Sequence, residues 1–229
     1  VSSDIDLVYV YGEEGLTAIR THRPALVIPD VVVPRLEVFS GLSAVGADPD
    51  LIIMGKTGES KMGNPLVGSV ANHVLRHAAV PVLVTKKGKG RPGIKNILVP
   101  TDFSKKEDIE REFAWKVAKG LASSLTFLYV LELHGHDSRM VDEMFKSVLD
   151  KFKKKATLEG QGLAVNQDVI RAVNAAHGIV EYGAERDCDL IVMESCIGGL
   201  GRLLLGSTTE KVISYSQLPV FAIPPKLCR

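Results

Sequence analysis

Several ingredients are scarce in this chain, and each scarcity removes a class of protein. Only three cysteines occur in 229 residues, Cys188, Cys196 and Cys228. Their spacing suits neither a disulfide framework nor a zinc site, which argues for a reducing, cytoplasmic setting. Charge of one sign is not in excess: 28 Lys and Arg against 27 Asp and Glu leave +1. Neither nucleic acid nor a membrane surface is therefore expected as a partner. No apolar run nears the roughly 20 residues that span a bilayer, and Val1-Ser2-Ser3-Asp4-Ile5-Asp6 does not open like a signal peptide. What remains is 45% hydrophobic and 24% charged, a globular composition sufficient for one large or two small domains.

The chain is organised around Met54 to Ser69. Asp50-Leu51-Ile52-Ile53 before it reads as a buried strand, and Val70 to Arg76 after it reads as a helix. Gly55 and Gly58 allow a sharp turn and close backbone approach to a ligand. Gly68-Ser69 stands where the helix begins, with Ser69 as N-cap or first-turn hydroxyl. Free amides and the positive end of the helix dipole attract an anion there, so the stretch reads as a phosphate cradle.

That segment has a second version. Asp48 to Met54 matches Asp187 to Met193 at an offset of 139, whereas Leu66 to Ser69 matches Leu204 to Ser207 at 138. Val80 to Val84 matches Leu218 to Ala222 at 138, and Leu7 to Val10 matches Phe127 to Val130 at 120. One residue is missing from the second loop, and two copies are implied. Their boundaries are 1–86 and 94–229, with a basic, glycine-rich linker over 87–93.

Strands alternating with helices predict an α/β fold with a mainly parallel sheet in each copy. The second copy reads as five strands and four helices. Its strands are Ile97–Pro100, Leu125–Leu131, Leu163–Ile170, Leu190–Met193 and Val220–Ile223. Its helices include one with Ile109, Phe113, Val117 and Leu121 on an apolar face. The others are Met140–Lys154, Ala175–Glu185 and one starting at Thr208. The first copy is incomplete, without a first strand and helix. The offsets imply residues absent before residue 1 and within 11–47, and an exposed apolar edge where the first strand should lie.

Gly55, Gly58, Gly68 and Ser69 have the Gly-x2-Gly-x9-Gly-Ser/Thr spacing of the universal stress protein family, and Val99-Pro100-Thr101-Asp102-Phe103-Ser104 has its Val-Pro-x-Asp-x-Ser turn. The chain thus resembles a tandem universal stress protein. The resemblance implies two Rossmann-like domains of the adenine nucleotide alpha hydrolase-like kind, each with a parallel five-stranded sheet. It further implies binding of ATP or AMP, with Mg2+ able to accompany the phosphates. Gly55, Gly58, Gly68, Ser69 and Val70 would hold phosphates and ribose. Val10 and its counterpart Val130 would meet adenine through their backbones, and Pro100 and Asp102 would serve a ligand in the second copy, with Gly206, Ser207 and Thr208 at its helix start. The strands at Val80–Val84 and Val220–Ile223 would pair in an intrachain pseudo-dimer, with a homodimer as a further assembly.

The second loop departs from the pattern. Counting back from Gly206 puts Met193 and Cys196 at the first two glycine positions, whereas placing the deletion later puts Glu194 at the first. A carboxylate close by would repel phosphate, so binding is expected mainly in the first copy. The resulting expectation is an adenine-nucleotide-binding protein with a regulatory stress-response role and an unidentified protein partner. The alternatives are a non-binding structural or dimerisation module and a slow ATPase.

No catalytic residue and no metal site is assigned. Asp50 stands where a P-loop needs glycine, though Lys56 could reach a phosphate as a point charge or stand solvated. Asp30-Val31-Val32-Val33-Pro34 imitates a receiver phosphoacceptor region without its companions. His134-Gly135-His136-Asp137 has no nearby ligand cluster. His73 and His77 share a helix face but lack the glutamate of a zinc protease. Cys196 is read as an inert substitution for glycine.

Overall fold

The computed structural model describes residues 7–10, 26–29, 51–56, 67–86, 93–103, 107–133, 138–156, 162–195, 205–224 and 227. The strands are β1 (Leu7–Val10), β2 (Leu26–Pro29), β3 (Leu51–Gly55), β4 (Val82–Thr85), β5 (Asn96–Pro100), β6 (Ser124–Glu132), β7 (Val165–Ala172), β8 (Leu190–Glu194) and β9 (Val220–Ile223). The helices, numbered along the chain, are α1 (Ser69–His77), α2 (Glu107–Leu121), α3 (Ser138–Ala156), α4 (Ala175–Glu185) and α5 (Ser207–Tyr215). The second copy therefore shows the five strands and four helices read from its periodicity, with ends displaced by a residue or two.

The chain forms two compact units. The first comprises residues 1–88, 194–214 and 221–229, and the second 89–193 and 215–220. In the second unit the sheet order is β8-β5-β6-β7, with the pairings of β5 and β6 all parallel. Ile97, Leu98, Val99, Leu125, Phe127, Leu128, Ile191 and Val192 are buried. Near-continuous apolar strands of this kind are expected where helices cover both faces of a parallel sheet. Helix α2 buries Glu110, Ala114 and Ala118, whereas Leu121 is 48% exposed. The apolar row Ile109, Phe113 and Val117 is only half-buried, so the expected face is rotated by one residue. Two alanines at its centre let the helix lie close to the sheet.

In the first unit β1, β2, β3 and β4 are neighbours in that order, and β9 follows β4. The expected apolar edge beside β3 is not there: β2 occupies it, pairing Leu26 with Leu51 and Val27 with Ile52. In the second unit the same place beside β8 belongs to β5, with Ile97 opposite Leu190. Pro29 therefore holds in its strand the position that Pro100 holds in β5. A central strand needs partners on both edges, and Leu26-Val27-Ile28 supplies the apolar hydrogen-bonding segment. Asp30 and the rest of the receiver-like stretch, the His134–Asp137 loop and Cys196 lie outside the described residues.

Candidate functional site

In the first unit the candidate site starts where β3 ends. Gly55 is level with Thr85 of β4, and Lys56 continues the ladder by donating its amide to the Thr85 carbonyl at 2.8 Å. The chain returns at Gly68, whose amide donates to the Lys56 carbonyl at 3.0 Å. Gly58 lies between these points, outside the described residues. Both ends of the glycine-spaced loop are thus pinned to each other.

Gly68 is the N-cap of α1, which decides that Ser69 is a first-turn residue. The helix's own ladder starts with the Asn72 amide on the Gly68 carbonyl at 2.9 Å. The amides of Ser69, Val70 and Ala71 therefore have no partner inside the helix, and they point out of its positive end. The Gly68 amide is engaged in closing the loop. Val10 ends β1, paired with Pro29.

Lys56 is not a solvated loop lysine. It is buried, and its ammonium donates to the Ser214 carbonyl near the end of α5. Burial lowers its pKa, and the charge of Lys86 lowers it further. The carbonyl end of a helix favours a cation, which explains the direction the side chain takes.

The second loop has the same closure. Ser195 donates its amide to the Ile223 carbonyl at 2.9 Å, and Gly206 donates to the Ser195 carbonyl at 3.1 Å. Ser195 is the counterpart of Lys56, so Glu194 is the counterpart of Gly55. This register selects between the two placements left open by the sequence. The Glu194 carbonyl also accepts from the Thr209 hydroxyl at 2.8 Å, a contact with no signal in the motif. Gly206 precedes α5, and Ser207 and Thr208 are its first residues.

The second unit carries the acidic turn. β5 is the strand flanked by β6 on one side and β8 on the other. It is the point where chain order reverses, and ligands of open α/β sheets bind at the carboxyl ends of such strands. Pro100 pairs with Leu128, and the Thr101 amide donates to the Leu128 carbonyl at 2.8 Å. Asp102 is exposed.

Phe103 then adopts a left-handed φ of 55°, while its amide donates to the Thr101 hydroxyl at 3.1 Å. Its ring stacks on Tyr129 at 5.4 Å and meets the edge of Phe152 at 4.9 Å. This cluster fastens the turn to β6 and α3, and only the fold reveals it. Burial raises the Tyr129 pKa, followed by the charges of Asp102 and Glu132. Val130 packs its side chain toward Gly178 of α4. Among the described residues no group of three or more His, Cys, Asp or Glu is placed to hold a metal.

Comparison with known proteins gives these features a context. The profile of the universal stress protein family matches residues 44–86 and 93–224. A universal stress protein of Methanocaldococcus jannaschii is 30% identical over 141 residues, covering 56% of this chain and 81% of that protein. One from Mycobacterium tuberculosis is 25% identical over 203 residues, covering 85% of this chain and 66% of its own length. In structure, a universal stress protein from Archaeoglobus fulgidus superposes with a TM-score of 0.64 at 20% identity, over 96% of this chain and 97% of the other. With two separate stretches matching one profile, a loop closed at the same point in each, and a parallel α/β sheet, the chain belongs to the universal stress protein family as a tandem member.

Proposed function

We propose that the protein binds an adenine nucleotide, ATP or AMP, at the loop of its first copy, and that occupancy regulates what a partner protein sees. The observation that supports this most is the closure of the loop between Lys56 and Gly68 directly before the first-turn amides of α1, which have no partner inside the helix. A phosphoryl group at Ser69 and Val70 would meet hydrogen-bond donors and a favourable dipole together. Gly55 and Gly58 leave room for the ligand's approach, and Val10 would present backbone to the base. Mg2+ would accompany a triphosphate. Lys56 does not belong to this set, because its ammonium serves Ser214.

For the second copy we favour a structural role. Glu194 takes the place of Gly55, and its carboxylate would repel a phosphate brought to that loop, although Pro100, Asp102 and Val130 keep the base side of the pattern. The copies act as domains 1–86 and 94–229 joined by 87–93, in the cytoplasm, where a free buried thiol such as Cys188 is stable. Isothermal titration with ATP and with AMP tests the proposal. We expect one site per chain, lost in Gly58→Val and weakened in Ser69→Ala. No heat and no thermal shift at millimolar nucleotide would leave only the structural reading.

A further inference from the structure

Helices α1 and α5 are the same element of the two copies, and inside the first unit they touch through equivalent positions. Asn72 and Glu210 correspond at the offset of 138, and the Asn72 amide nitrogen donates to Glu210 Oε1 at 3.2 Å. The other end of that amide accepts from Arg76 Nε at 2.5 Å. Its orientation is therefore fixed, nitrogen toward Glu210 and oxygen toward Arg76. A second contact runs in the same sense, from Lys56 of the first copy to the Ser214 carbonyl of the second. Strands β4 and β9, also equivalent, are neighbours.

Residues that meet their own equivalents mark a pseudo-two-fold axis. The chemistry across it is nevertheless unlike on the two sides. Position 72 carries an amide and 210 a carboxylate. Position 56 carries an ammonium, whereas its counterpart Ser195 turns its hydroxyl to the Ile223 carbonyl at 2.9 Å. Two second-copy faces brought together in this way would set Glu210 against Glu210, with no lysine for the Ser214 carbonyl. Like charges juxtaposed at an interface disfavour the wrong partner.

We propose that this contact is a selective pairing surface: the first-copy face built from Lys56, Asn72 and Arg76 fits the second-copy face built from Glu210 and Ser214, and the second-copy face rejects another of its own kind. The two copies are thereby non-interchangeable, and the partner recognised is the unlike copy of this same chain. The proposal does not depend on nucleotide binding.

A swap cycle in the full chain tests it. Asn72→Glu sets two carboxylates face to face and should lower the folded-to-unfolded ratio about tenfold, a fall in Tm of roughly 3–6 °C for a chain of this size. Exchanging both residues, Asn72→Glu with Glu210→Asn, restores an amide–carboxylate pair and should return the Tm to the parent value. A double variant as unstable as the sum of its singles overturns the proposal. Independently, Asn72→Cys with Glu210→Cys should oxidise within one chain and migrate as a compact monomer on a non-reducing gel. Covalent dimers instead, in a background with Cys188, Cys196 and Cys228 replaced by serine, would show that the two positions do not meet within one molecule.

Discussion

Gly178→Ala is the substitution whose sign the structure decides most sharply. Gly178 lies in α4 with its Cα facing β6 and β7. An added Cβ would meet Ala172 Cβ at 2.9 Å, Val130 Cγ1 at 2.9 Å and Ile170 Cδ1 at 3.2 Å. Neither of the two nearest atoms can yield cheaply. One is fixed to strand backbone, and the other belongs to a β-branched residue with stiff χ1. With two unyielding contacts under 3.0 Å the overpacking falls in the upper part of the usual range, about 2–3 kcal/mol, against a helix-propensity gain of about 1 kcal/mol for replacing glycine. The expected net effect is a loss of about 1–2 kcal/mol.

The natural control is Gly120→Ala in α2, where a Cβ meets nothing within 4 Å and only the propensity gain should remain. Urea unfolding followed by Trp115 fluorescence reads the comparison, because the single tryptophan lies in the same unit as Gly178. Gly178→Ala should lower the midpoint by about 0.5–1 M, and Gly120→Ala should raise it. Adding Ala172→Gly removes one of the two closest contacts and should cost less in the Gly178→Ala background than alone. Equal stabilisation by both alanines would refute the packing argument.

Further outcomes follow from two hydrogen bonds in the same unit. The Tyr182 hydroxyl donates to Asp168 Oδ2 at 3.0 Å, so Tyr182→Phe should cost about 1 kcal/mol at neutral pH. Burial, then that bond and the Asp168 charge, push the phenol up to about 12. A raised tyrosine pKa favours the neutral form, so its stabilisation is complete below pH 10 and lost as pH climbs from 10 through 12. Base-induced unfolding curves of the parent should lose about 2 kcal/mol over that window that Tyr182→Phe does not lose. Asn174 caps α4 by accepting from the His177 amide at 3.0 Å, and Asn174→Ala should cost about 1 kcal/mol in urea denaturation.

The residue order alone determined the tandem repeat, the alternation of strand and helix, and the family of the loop, because each is a matter of periodicity and spacing along one chain. Strand β8 and helix α4 were legible to within a residue, since the expected Leu190–Met193 and Ala175–Glu185 match the observed bounds. The structure alone decided which residue of the second loop replaces Gly55, because the ladder from Ser195 to Ile223 fixes the register that a one-residue deletion leaves ambiguous. It also decided that β2 takes the place beside β3, that α2 buries Ala114 and Ala118 in place of the Phe113 row, and that Lys56 turns to Ser214. These outcomes depend on hydrogen-bond pairing and close packing between segments far apart in the chain, and no local pattern encodes which distant partner a strand edge or an ammonium group will find.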